Sequence, residues 1–129
     1  MQILTFLLGE EKFAVDINLV DTIEHKMPIT TVPKCKKYVI GLISNRGNVI
    51  PVINTSLILN QKNQISDFKK LIIISLENYK FALAVNEIDD VVDIETEDIK
   101  KVDGNETLSV VKLNSNIITV LTYDELKSI

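Results

Sequence analysis

Apolar residues along this chain come in short runs bounded by polar clusters, the pattern of strands rather than helices. Ile3–Leu8 and Lys12–Ile17 predict two strands joined by a Gly9-Glu10-Glu11 turn. Tyr38–Ile43 and Val49–Ile53 predict a hairpin around the polar cluster Ser44-Asn45-Arg46-Gly47-Asn48, and Pro51 in its second limb points to an edge or a bulge. Leu71–Leu76 and Lys80–Val85 repeat the plan around Glu77-Asn78-Tyr79, as do Leu108–Leu113 and Asn116–Leu121 around Asn114-Ser115. Ile17–Ile23 fits either a bent strand or a short helical turn. Lys26–Pro33 reads as a loop or edge segment, Leu57–Asp67 as a polar linker, Lys101–Thr107 as a turn region with Gly104, and Thr122–Leu126 as a short helical turn capped by Thr122.

The two halves match without gaps. At an offset of 68 residues, Phe13-Ala14 falls on Phe81-Ala82, Asn18 on Asn86, Asp21 on Asp89, Ile50 on Ile118 and Val52 on Val120. Arg46, the only arginine, falls on Asn114. This is the signature of an internal duplication. It predicts two small β-barrels of matching topology packed side by side, because either half alone would bury too little surface to be more than marginal. Closing short strands into barrels also removes exposed edges.

Composition narrows the class. Of 129 residues, 46% are hydrophobic, mostly Ile, Val and Leu, while aromatics are 5% and Trp is absent. That mix fills sheets. The net charge of −4 argues against a nucleic-acid surface. The charge is uneven, with seven Lys/Arg against six Asp/Glu in residues 1–68 and seven against twelve in residues 69–129. The single cysteine, Cys35, excludes an internal disulfide and fits a reducing compartment. No apolar run approaches the length of a membrane span, and no signal peptide is expected, so the expected location is the cytosol.

Candidate chemistry is sparse. His25 and Cys35 lie ten residues apart with no third group to orient them; the plainer reading is a loop histidine and a half-buried thiol. No zinc spacing and no glycine-rich phosphate loop is present. The acidic stretch Glu87–Asp98 lacks the ligand spacing and central glycine of a calcium loop, and reads as the solvated face of a bent strand. Arg46 at a hairpin tip is either a solvated turn charge or a recognition element. This profile, without a visible active site, cofactor or metal, suits a binding module better than an enzyme.

The stretches FLLGEEKFAVDINLVDTIE, TTVPKCKKYVIGLISNRG and NVIPVINTSLIL resemble the CheW family, adaptor domains of bacterial chemotaxis. Gly41, Arg46, Gly47 and Pro51 fall on that family's marked positions, and FALAVNEIDDVVDI and VVKLNSNIITVLTYDEL match its second half more loosely. The resemblance implies one CheW-like domain over 1–129, built of two five-stranded SH3-like barrels. Subdomain 1 would cover about residues 12–67, with strand 1–8 near the junction, and subdomain 2 about residues 68–129. It implies a non-catalytic adaptor between the cytoplasmic hairpin tip of methyl-accepting chemoreceptors and the regulatory domain of a CheA-type histidine kinase. By resemblance, Leu4, Ile17 and Val20 would form a kinase-binding apolar patch. Thr22, Asn45 and Arg46 would face the inter-barrel groove that receives the receptor, with Arg46 either bonding the groove wall or touching the receptor.

The sequence departs from the family at Ser44 and Asn45 before Arg46-Gly47, at Thr22 where glutamate is common, and at Ala82 and Asn86 in the second half. These departures bear on receptor affinity more than on fold. Two other readings stay open: a CheW-like scaffold in another two-component pathway, and a small enzyme using Cys35.

Overall fold

The structure, a computed structural model, describes residues 1–59, 67–103 and 108–129. Most of the expected 57–67 linker and the Gly104 turn lie outside the described residues. One sheet has six strands in the order β8 (Glu87–Asp93), β1 (Gln2–Leu8), β2 (Glu11–Asp16), β11 (Asn116–Leu121), β10 (Leu108–Leu113) and β9 (Lys100–Val102). The other has five, in the order β3 (Val20–His25), β6 (Lys70–Ser75), β7 (Lys80–Val85), β5 (Asn48–Asn54) and β4 (Val39–Asn45). Short helices α1 (Thr55–Ile58) and α2 (Tyr123–Leu126) follow β5 and β11. The protein is thus all-β with two sheets. The first carries one strand more than expected, β9.

The duplication is visible in the hydrogen bonding. Ala14 pairs in parallel with Val120, and Val52 pairs in parallel with Ala82; shifting Ala14 and Val52 by 68 residues gives Ala82 and Val120. The division of the chain differs from expectation, because the sheets are not the halves of the sequence. Hairpin β1–β2, from the first half, sits in the sheet built otherwise from the second half. Hairpin β6–β7, from the second half, sits in the sheet built otherwise from the first. The boundaries 12–67 and 68–129 therefore cut across both sheets.

The reason is burial on both faces. Strands that read as unbroken apolar runs need cover on each side, and a central position beside the other sheet supplies it. Leu4, Phe6 and Leu8 of β1 point into a core shared by the two sheets, with Phe13 and Val15 of β2. Ile72 and Ile74 of β6 and Phe81, Leu83 and Val85 of β7 meet them there. The alternate residues Ile3 and Ala14 close the interior of the first sheet with Val111, Ile118 and Val120. Leu71, Ile73, Ala82 and Ala84 close the second with Ile43, Ile50 and Val52. Each fully buried aliphatic or phenyl side chain contributes about 1.5–3 kcal/mol, so the exchanged hairpins hold much of the stability.

Local details follow from residue chemistry. Ile17–Leu19 is a 3-10 turn whose preceding Asp16 accepts a bond from the Asn18 amide at 3.0 Å, which settles the undecided stretch as a turn leading into β3. Arg46-Gly47 is a two-residue loop between the paired Asn45 and Asn48, tighter than the expected cluster. Its φ values of 52° and 81° make it a primed hairpin turn, and Asn114-Ser115 repeats it at 48° and 71°. At Gly41 a Cβ would strike the Thr30 carbonyl oxygen and lie 2.6 Å from the Ile29 side chain, because Thr30 bonds across to Leu42 there. Pro51 pairs with Leu42 just before the ladder to β7 begins at Val52, so it has a partner strand on one side only. Glu87–Asp93 is an edge strand with an outward acidic face.

Candidate functional site

The 3-10 turn and the start of β3 present Ile17, Leu19 and Val20 half-buried at the margin of the shared core. Around them are the exposed Asn18, the capping Asp16, and Asp21, which pairs with Lys80 at 3.1 Å. An apolar centre with a polar rim is the usual composition of a small protein interface. Leu4 does not belong to it. Its side chain is 1% exposed, enclosed in the shared core between β2 and β8, because β1 is an interior strand. Leu4 supports the patch from inside and has no surface to offer a partner.

Thr22, Asn45 and Arg46 all belong to the second sheet. Thr22 is half-buried on β3 and donates to the Glu24 carboxylate at 3.2 Å. Asn45 is half-buried and Arg46 exposed. Among the described residues, the Arg46 guanidinium has no hydrogen bond or ion pair. A residue other than glycine at positive φ costs about 1–2 kcal/mol, least for asparagine. Asn114 meets that preference in the equivalent turn; Arg46 does not.

The groove between the sheets lies elsewhere. It is a cleft of about 550 Å³ flanked by the equivalent helices α1 and α2, with Tyr38, Leu57, Leu59, Leu108, Leu121 and Ile129 in its wall. Asp124 and Glu125 line it too, with Asp124 held by Lys101 at 2.9 Å. Thr22, Asn45 and Arg46 are not among its walls. A different cleft, in the first sheet, brings Asp89 and Asp90 together with Asn114. Sixty-eight residues earlier, the matching positions are Asp21, Thr22 and Arg46, so by the duplication these three share one end of the second sheet. Next to that end, Met27, Pro28, Leu42, Ser44 and Val49 line an apolar cleft of about 520 Å³. The groove between the barrels was expected, but lined by Thr22, Asn45 and Arg46 rather than by these residues, and the cleft at Met27 and Val49 was not expected. The available signal was strand alternation: with Ile50 and Val52 inside, Val49 must face out.

Other titratable groups are engaged structurally. Lys12 at 3.0 Å and the Thr5 hydroxyl at 2.9 Å hold the Asp89 carboxyl below its ordinary range. His25 Nδ1 lies 3.0 Å from Lys70 Nζ, and the exposed Cys35 thiol donates to Val32 O at 3.2 Å. Histidine and cysteine thus bond elsewhere and not to each other. Among the described residues, no group of three or more His, Cys, Asp or Glu is placed to hold a metal, and no helix is long and apolar enough to cross a membrane.

Residues 2–128 match the CheW-like domain family. The chain belongs to the CheW family. It is 27% identical over 130 residues to the chemotaxis protein CheW of Thermotoga maritima, covering 97% of this chain and 86% of that one. It is 26% identical over 133 residues to the chemotaxis protein CheW of Helicobacter pylori, covering 98% and 81%. The scaffolding protein TtCheW from Thermoanaerobacter tengcongensis has the same fold, with a TM-score of 0.81 at 25% identity over 95% of this chain and 84% of that one. The two sheets with exchanged hairpins are therefore a CheW fold, and the surfaces just described are surfaces of a CheW-family domain.

Proposed function

We propose that this protein is a non-catalytic adaptor of bacterial chemotaxis, coupling chemoreceptor cytoplasmic tips to a CheA-type histidine kinase in the cytoplasm. The observation that carries the reading is the family match over residues 2–128 together with the half-buried Ile17 and Val20, set in a polar rim and without catalytic surroundings. Ile17 and Val20, with the neighbouring Leu19, form the kinase-facing centre, and Leu4 holds their seat from below. Thr22, Asn45 and Arg46 form the receptor-facing end of the second sheet. Arg46 suits direct contact, since its guanidinium is exposed and a forked donor recognises carboxylates bidentately.

Co-sedimentation tests this. Membranes bearing the cognate receptor are mixed with the kinase, with and without this protein. The proposal expects kinase in the pellet only when the adaptor is present. Kinase recruitment that is the same with and without the protein contradicts it.

A further inference from the structure

We infer that the receptor segment held at the second sheet presents a carboxylate beside a bulky aliphatic side chain, the first to Arg46 and the second to the cleft at Met27, Leu42 and Val49. This rests on the receptor-facing reading of Arg46 and specifies the chemistry of what it holds.

Three observations converge. The cleft is apolar and adjoins the hairpin that carries Arg46, with Val49 of that hairpin 70% exposed in its wall. Its size, about 520 Å³, admits a side chain or two rather than a whole helix. The charge around it is segregated by the exchange of hairpins. Residues 20–54 and 67–85, which build the second sheet and its loops, carry eight Lys/Arg against four Asp/Glu; residues 1–19, 86–103 and 108–129 carry five against thirteen. The second sheet is therefore net positive and the first strongly negative, a contrast that the two halves of the sequence largely hide. A positive surface with an exposed guanidinium at an apolar cleft complements an acidic and aliphatic segment. The turn adds to this: Arg46 occupies a positive-φ position where its counterpart is Asn114, so the backbone does not explain the arginine.

The test is a titration of the full-length isotope-labelled protein with a receptor cytoplasmic fragment, read by amide NMR shifts. The expected result is perturbation of Met27, Leu42, Ser44 and Val49 together with Arg46. Val49→Asp should weaken binding at least tenfold. Ile117→Asp, at the matching and 74% exposed position of the first sheet, should leave it unchanged. Arg46→Ala should weaken binding and flatten its salt dependence, with partial rescue by Arg46→Lys. Shifts confined to the inter-sheet groove or the first sheet, with Val49→Asp binding normally, overturn the inference while the adaptor reading stands. No binding to any receptor fragment by a folded protein overturns both.

Discussion

Arg46 and Asn114 hold the same backbone conformation, φ 52° and 48°, at the first loop position of hairpins 68 residues apart. Asparagine tolerates that conformation better than arginine does. Replacing Arg46 with Asn should therefore raise stability, by up to about 1 kcal/mol in urea unfolding, and lower receptor-dependent kinase activation. A variant that is less stable and fully active would show that the arginine serves the fold.

Leu4 is enclosed in the shared core, so Leu4→Ala should act on stability. The expected loss is about 2–5 kcal/mol, as for other buried leucines. Thermal unfolding checks the size. Kinase affinity of the fraction that remains folded should fall far less than in Ile17→Asp, since Leu4 has no exposed surface and acts only by supporting the patch.

Gly41 faces the Thr30 carbonyl at the bridge between the Lys26–Tyr38 segment and β4. An alanine there forces the two strands apart. Gly41→Ala should cost on the order of 1–3 kcal/mol and should expose Ile29 and Leu42 to solvent, measurable as faster amide exchange at both.

Asp89 has a carboxyl lowered by Lys12 and Thr5 in the folded protein. The sign follows from linkage: a carboxyl depressed on folding contributes stability above its unfolded pKa, ordinarily about 3.8–3.9, and loses it as pH falls through the folded value. Asp89→Asn should thus be less stable than wild type at neutral pH, with the gap closing below about pH 4. The side chains of both partners are substantially exposed, so the gap should be modest and shrink in high salt.

The strand pattern, the repeat and the matching turns were legible because period-two burial and turn chemistry act locally. The exchange of hairpins was not, since β1–β2 and β6–β7 are equally apolar and either sheet would accept either one. Leu4 was placed on the surface patch by family resemblance alone, and the arrangement of strands buries it, because β2 and β8 flank β1. The apolar positions Ile17, Leu19 and Val20 were legible, and their 3-10 turn became clear only through the Asp16 cap. The Met27–Val49 cleft was hidden because it joins residues from separate segments. Its charge was hidden because acids and bases sort by sheet rather than by position in the chain.

The exchange makes a further demand. Each sheet lacks its central hairpin without the other half of the chain. A chain cut between residues 62 and 63 should therefore yield fragments that are unfolded alone and regain native circular dichroism on mixing. Independent folding of either fragment would show that the hairpins can return to their own halves.

The most direct test of the adaptor account is calorimetry of this protein with the regulatory domain of its cognate CheA-type kinase. The account predicts saturable binding at micromolar concentrations, weakened at least tenfold by Ile17→Asp or Val20→Asp, about 1.4 kcal/mol or more. No heat at tens of micromolar, or wild-type affinity in both variants, would contradict it.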